Sequence, residues 1–380
     1  MILYLAAIIF SFFFAFVLAT KSKKSQADSM LMGWLLIIGI HLLSFYLIYT
    51  NQVSDYSLLI AFGFPLPLAH GPCLFIYTKL QTSPAPFRKK HLLHFLPVVL
   101  SYLLFFPFYI LPEEERIIVF HLKGAGYETE MLINLTAIYI SGVVYIGLSL
   151  VRLLQYRKNL VNQFSNTEKI NFNWLLYLIS WMGVIWITIL FIQGDQFIFG
   201  AAALFVLWLG YFSFRQIDVF RNYRHHPPPY ASVQPNHQKE IEIDFEIEEP
   251  VSEVPLKYQR SLLNDEDATA IHERLKELMR KEKPYTNPEL TLNQLAKSLD
   301  VHPNTLSQVI NSKENRNFYD LINAKRVEEF INLISQPSHQ QFTLLGMAFD
   351  CGFNSKASFN RNFKKYAGIT PSEFMKQQAA

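Results

Sequence analysis

Charge and cysteine are both scarce in this 380-residue chain. Only 17% of its residues are Asp, Glu, Lys or Arg, which is low for a domain that meets water on every side. The two cysteines, Cys73 and Cys351, fall in opposite halves. That excludes a disulfide framework and a cysteine-based zinc site, and Cys351 is expected as a small buried residue in a reducing compartment. No basic residue precedes the first apolar run, and Lys21, Lys23 and Lys24 follow it. A cleaved signal peptide has the opposite order, so the opening segment reads as a retained span. Also missing are a phosphate-binding glycine loop, a nucleophile elbow, an HExxH pair, the kinase motifs and paired intramembrane carboxylates. The chain is therefore not expected to be an enzyme, and no cofactor or metal is called for. His225-His226, ahead of three prolines, reads as a solvated juxtamembrane pair.

What is abundant is apolar: 51% of the residues are hydrophobic and 33 are Phe. A helix needs about 20 apolar residues to cross a hydrocarbon core. Runs of that kind lie near 1–20, 30–50, 57–80, 91–111, 131–154, 172–193 and 196–214. Lipid offers the backbone no hydrogen bonds, so each run is expected to be a helix, giving a seven-helix transmembrane bundle over 1–214. With the start outside, the inner loops hold fourteen basic residues: Lys21, Lys23, Lys24, Lys79, Arg88, Lys89, Lys90, Arg152, Arg157, Lys158, Lys169, Arg215, Arg221 and Arg224. The outer loops hold only Arg116 and Lys123. That bias places residue 215 onward in the cytoplasm.

The longest outer loop, about 112–130, carries Glu113, Glu114, Glu115, Glu128 and Glu130. It is too short for a folded sensor, so a signal would be read within the bundle, at this loop or through lipid. The third span is interrupted by Pro65, Pro67, Gly71 and Pro72 and contains His70; His41 lies in the second. Polar side chains at such depth tend to face the bundle interior. The two histidines either join helices through hydrogen bonds or line a ligand-sensing pocket.

Residues 215–256 form a juxtamembrane segment and connector. From 222 onward the apolar period is lost, and Glu240, Glu242, Asp244, Glu246, Glu248, Glu249 and Glu253 follow Pro227-Pro-Pro229. This reads as a charged, extended linker, with alternating Ile and acid at 241–247 able to form a strand only if it finds a partner.

From 257 to 380 the pattern is all-α. A helix is expected near 264–282 from Ile271, Leu275 and Leu278. Thr291-Leu-Asn-Gln294 is a capping box, followed by the stripe Leu292, Leu295, Ala296, Leu299. A turn at Asp300-Val301 leads to a His302 cap and Pro303 at the first helical position. If Leu306, Val309 and Ile310 pack inward, then Asn304, Ser307, Gln308 and Asn311 point outward. A bracing helix over roughly 317–335 brings Lys325 and Arg326 within expected reach of phosphates. A second unit begins near Thr343. Its turn is Cys351-Gly352-Phe353, its expected cap Asn354, and Phe359 and Phe363 point inward. Lys356, Ala357, Asn360 and Arg361 then face out, with Lys364 and Lys365 at the helix end. Two such units, at about 291–312 and 343–365, give two helices whose polar faces could enter a major groove. Asn, Gln and Ser suit base edges, whereas Lys and Arg suit phosphates. The whole soluble part has 17 basic and 14 acidic residues, so attraction to DNA must be local, chiefly at 356–365.

Residues 264–376 resemble the AraC-type helix-turn-helix regulators. The signature lies in Ala348-Phe-Asp-Cys-Gly-Phe-Asn-Ser-Lys356, Ser358-Phe-Asn-Arg-Asn-Phe-Lys-Lys365 and Gly368-Ile-Thr-Pro-Ser-Glu-Phe374. The resemblance implies two small helical subdomains joined by a long helix, each placing a helix in promoter DNA. It makes Asn304, Ser307 and Gln308 base-facing in one unit, and Lys356, Ala357, Asn360 and Arg361 in the other. Gly346 stands where a polar or acidic helix former is common, and Met375 where Arg is usual. The apolar half resembles that of membrane-anchored members of the family, which implies a bacterial inner-membrane location.

The expectation is thus a one-component transcription regulator tethered to a lipid bilayer. Its partners would be double-stranded promoter DNA, a small-molecule or lipid signal and a second copy of itself. The linker or the 264–282 helix would relay the signal, and the 257–380 fragment should bind DNA alone. The rival is a multi-span receptor or transporter with a cytoplasmic protein-binding tail. A third scheme, proteolytic release at the linker, predicts a soluble carboxy-terminal fragment.

Overall fold

The computed structural model describes residues 1–83, 85–167, 173–192, 194–223, 264–335 and 343–379. Among them the regular structure is helical, with a lone antiparallel bridge between Phe164 and Thr291. The chain divides into two units. The first comprises Met1–Tyr156 and Phe172–Pro228, and the second Arg157–Asn171 and Pro229–Ala380. Most of the connector, including the Ile–acid alternation at 241–247 and His225-His226, lies outside the described residues.

The first unit opens with α1 (Ile2–Thr20) and α2 (Gln26–Tyr49). Between them Ser25 and Asp28 close a capping box, and Lys21 Nζ meets Asp28 Oδ2 at 2.7 Å. The helices pack closely, with Ser11 Oγ donating to Leu35 O at 2.6 Å. Helices α3 (Val53–Phe62) and α4 (Pro67–Thr82) together cover the third expected span, but are bent by 41° at the break between them. Pro65 and Pro67 supply no amide to that break, and neighbouring helices answer its carbonyls. Tyr102 OH donates to Phe62 O at 2.9 Å, and Asn134 Nδ2 donates to Phe64 O at 3.2 Å. The same Asn134 accepts from Ser101 Oγ at 2.7 Å. Broken helices persist in an apolar setting only with such replacement partners.

Around 91–111 the expected single span is interrupted. A 3-10 turn, Lys89–Phe95, precedes α5 (Leu96–Leu104) and α6 (Phe106–Tyr109), and each short helix has a proline in its first turn. There follow α7 (Glu113–His121), α8 (Glu128–Leu160), α9 (Asn173–Ile187) with a π turn to Ile192, and α10 (Asp195–Tyr223). Helix α10 therefore continues past 214, so the start of the expected juxtamembrane segment is helical. Four helices among the described residues are long and apolar enough to cross a membrane, with the bent α3–α4 pair as a fifth; the stretch of α10 whose side chains are described, Asp195–Gly210, is shorter. The sequence count of seven exceeds this. Large apolar side chains stay open to their surroundings: Phe16 is 65% exposed, Leu132 65% and Phe191 79%. In water a surface of that kind associates, and it is compatible with a lipid environment.

The second unit has two cores. Helices α11 (Asp265–Lys281), α12 (Leu292–Ser298) and α13 (Pro303–Glu314) enclose the first, around Leu275, Leu295, Leu306 and Ile310. Helices α15 (Leu344–Asp350), α16 (Lys356–Ala367) and α17 (Pro371–Ala379) surround the second. There Phe330, Phe353, Phe359 and Phe363 meet in edge-on and tilted pairs. The long α14 (Phe318–Ile334) serves both: Leu321 and Ile322 enter the first core, Val327 and Phe330 the second.

Candidate nucleic-acid interface

Each half of the second unit sets a short helix, a tight turn and a polar-faced helix in order. In the first, Gln294 N donates to Thr291 Oγ1 at 3.2 Å and Thr291 N to Gln294 Oε1 at 2.9 Å. Both halves of the expected capping box are formed, fixing the start of α12. The turn is made by Asp300 at φ +51°, and Val301 N returns to Ala296 O at 3.0 Å. His302 Nδ1 then accepts from Asn304 N at 3.2 Å and Pro303 opens α13.

The second half repeats this chemistry. Thr343 Oγ1 accepts from Gly346 N at 3.1 Å, Gly352 turns at φ +96°, and Phe353 N returns to Ala348 O at 3.0 Å. Thr291, Ala296, Asp300 and Val301 recur at one constant offset as Thr343, Ala348, Gly352 and Phe353. At the cap the offset grows by one residue. Ser355, not the expected Asn354, caps α16, its hydroxyl accepting from Ser358 N at 3.0 Å.

Helix α13 buries Leu306, Val309 and Ile310 completely. Asn304 and Asn311 are exposed, with Ser307 and Gln308 half-buried between them. Their i, i+3, i+4, i+7 spacing forms one stripe. On α16, Phe359 and Phe363 are buried, whereas Lys356, Ala357, Asn360, Arg361, Lys364 and Lys365 are exposed. Two of these cations are also braced against α14. Arg361 Nη2 donates to Tyr319 OH at 3.1 Å, and Lys365 Nζ meets Asp320 Oδ1 at 2.6 Å. Asn362, which the sequence reading did not single out, holds the same Tyr319 hydroxyl at 3.0 Å and is buried.

The pair expected to reach phosphates divides. Lys325 is half-buried and meets Glu328 at 2.7 Å. Arg326 points inward and is 1% exposed. Its guanidinium donates to Tyr285 O, Asn287 O, Ser165 O, Ser165 Oγ and Asn323 Oδ1, at 2.7 to 3.2 Å. Burial lowers its pKa to about 10, so it remains a cation at neutral pH. With its donors so engaged, it is a structural cation and not a phosphate ligand. An i, i+1 pair on a helix cannot share one face, which is why only one of the two lies outside. Cys351 is fully buried, as expected, and burial pushes its thiol up to about 12.

His41 and His70, the candidate sensing pair in the first unit, come together. His41 Nδ1 and His70 Nε2 stand 3.0 Å apart, and Trp34 Nε1 donates to His70 Nδ1 at 3.2 Å. An indole nitrogen can only donate, so His70 Nδ1 is an acceptor. A neutral His70 therefore carries its proton on Nε2 and donates it to His41. Phe199 packs edge-on to His41 at 5.0 Å between centroids. Among the described residues no group of three or more His, Cys, Asp or Glu could hold a metal ion.

Residues 295–377 match the family model of a helix-turn-helix domain of the AraC type, a DNA-binding regulator domain and not an enzyme family. No curated protein matches the chain. No solved structure matches it either.

Proposed function

We propose that this chain is a membrane-tethered, sequence-specific DNA-binding transcription regulator, held in a bacterial inner membrane by its N-terminal helices. The observation that carries this reading is the twofold occurrence of a capped helix, a positive-φ turn and a polar-faced helix, over 291–314 and 343–367, in a stretch of which residues 295–377 match the family model. In this reading α13 and α16 enter adjacent major grooves. Asn304, Ser307, Gln308 and Asn311 face bases from the first, and Ala357, Asn360 and Arg361 from the second. Lys356, Lys364 and Lys365 meet phosphates; Lys325 stands at the edge and Arg326 takes no part.

The exposed apolar side chains of the first unit support tethering. The Trp34–His70–His41 chain is the candidate for the signal-sensing element, because a proton taken by the accepting nitrogen of either imidazole must break a bond already made. The test is selection of genomic fragments by the full chain in lipid nanodiscs. Gln308→Ala and Arg361→Ala should each weaken the selected site by about 1–3 kcal/mol, roughly fivefold to more than a hundredfold, with non-specific binding little changed. Equal affinity for every fragment, or unchanged retention in both variants, would favour a receptor with a protein-binding tail.

A further inference from the structure

The short segment after α8 belongs to the second unit, and its carbonyls land on helix starts. Val161 O accepts from Tyr319 N, in the first turn of α14, at 2.9 Å. Gln163 O accepts from Leu292 N, the first residue of α12, also at 2.9 Å. Amides at those positions have no partner within their own helix. Phe164 bridges Thr291, and Ser165 donates to Leu290 O through both its amide, at 3.3 Å, and its hydroxyl, at 2.8 Å. Ser165 O in turn accepts from Asn323 Nδ2 at 3.0 Å and Arg326 Nη1 at 3.2 Å, and its Oγ accepts from Arg326 Nη2 at 3.1 Å. Ser165, Asn323 and Arg326 are each no more than 1% exposed.

This is no ordinary surface loop. All five described acceptors of this buried guanidinium are neutral oxygens, so it depends on each of them, and residues 161–165 supply two of the five and a partner for a first-turn amide of each of two helices. Both helices matter to the proposed reading of DNA. α12 supports α13, and α14 carries Tyr319 and Asp320, which hold Arg361 and Lys365 of α16.

We propose that Val161–Ser165 is a latch through which the chain running on from α8 governs the DNA-binding half. Seated, it orders α12 and α14 and so aligns both polar stripes. Withdrawn, it strips partners from the starts of α12 and α14 and from Arg326, and specific binding weakens. Control then passes through this segment and not through the 222–256 connector. The inference rests on the DNA-binding reading above.

The experiment uses the full chain in nanodiscs with Ser165→Pro, which deletes the Ser165 amide donor and hydroxyl together. Hydrogen exchange at the Leu292 and Tyr319 amides should quicken at least tenfold, and affinity for the selected DNA site should fall about tenfold or more, as expected for the loss of several buried hydrogen bonds. A second variant guards against misfolding. Ser165→Ala, which keeps the amide and loses only the hydroxyl, should fall between wild type and Ser165→Pro, with exchange at both amides and DNA affinity moving together. Faster exchange with undiminished DNA affinity would overturn the latch and leave the DNA-binding reading intact. Unchanged exchange in Ser165→Pro, or a Ser165→Ala that weakens specific binding with both amides still protected, would overturn it as well. A wild-type chain that protects both amides yet selects no DNA would defeat the DNA-binding reading itself.

Discussion

Replacing Arg326 by Met isolates the polar role of one buried side chain. The substitution keeps an unbranched stem of similar length and removes the whole guanidinium, so loss of packing is kept small. Five hydrogen bonds disappear. Some acceptors keep another donor: Ser165 O retains Asn323 Nδ2. Others, such as Tyr285 O, lose the close donor described for them. Five bonds to a charged donor would sum to about 7 kcal/mol or more taken singly, but desolvation of the ion offsets much of that. Breaking a buried ionic network by removing one member costs about 3–5 kcal/mol, and that is the expected loss, a large share of a typical domain stability.

The positions of the tryptophans make the assay selective. All five, Trp34, Trp174, Trp181, Trp186 and Trp208, belong to the first unit. Trp emission therefore follows that unit alone, while hydrogen exchange across α12 and α14 follows the second. In Arg326→Met the Trp transition in denaturant should stay where it is, and exchange in the second unit should shift by the full amount. A loss under about 1 kcal/mol would refute the account of Arg326 as a polar keystone, since that is the cost of one ordinary hydrogen bond. A Trp transition that moved with it would refute the separateness of the two units.

Two further outcomes follow from the same geometry. Gly352→Ala should destabilise the second unit more than Gly368→Ala. Both residues have positive φ, but a Cβ at Gly352 would lie 2.4 Å from Tyr285 O, whereas nothing lies within 4 Å at Gly368. About 1–2 kcal/mol is expected at Gly368 from backbone strain alone and clearly more at Gly352; equal losses in denaturant melts would contradict this. Cys351, its thiol pushed up to about 12 by burial, should resist alkylation at pH 7 in the folded chain and react at once in denaturant. Mass spectrometry of the native protein showing rapid modification there would count against the packing described.

The sequence exposed those features whose physics is local. Thr291 and Gln294, three residues apart, predict their own reciprocal bonds, and Gly352 in a Cys-Gly-Phe step predicts a positive φ. Apolar residues three and four apart on α13 and α16 predict which side faces inward. What the sequence concealed depends on partners distant along the chain. Nothing near Arg326 marks it as buried, because its acceptors lie at Ser165, Tyr285 and Asn287. Ser165 looked like part of a basic inner loop, defined by Arg157, Lys158 and Lys169, and no periodicity signals a segment that works through its carbonyls. The third span was recognised as irregular from its prolines, but the role of Asn134 in answering Phe64 could not be read from residues 70 positions apart. Likewise His41 and His70 were singled out separately, and only the packing of α2 against α4 joins them through Trp34. Hydropathy gives seven runs because it weighs apolar content, and at 91–111 it does not register the first-turn prolines of α5 and α6, where the described residues form two short helices.

The unlike polar faces of α13 and α16 have a consequence for any DNA they meet. One offers amides and hydroxyls, Asn304, Ser307, Gln308 and Asn311; the other offers a methyl, an amide and cations, Ala357, Asn360, Arg361 and Lys364. Asn and Gln match adenine, Arg matches guanine, and an alanine methyl suits thymine. If both helices sit in the grooves, one protomer writes left and right into its own target. The preferred site has a polarity along the duplex, and inverting it presents each helix with the wrong edge.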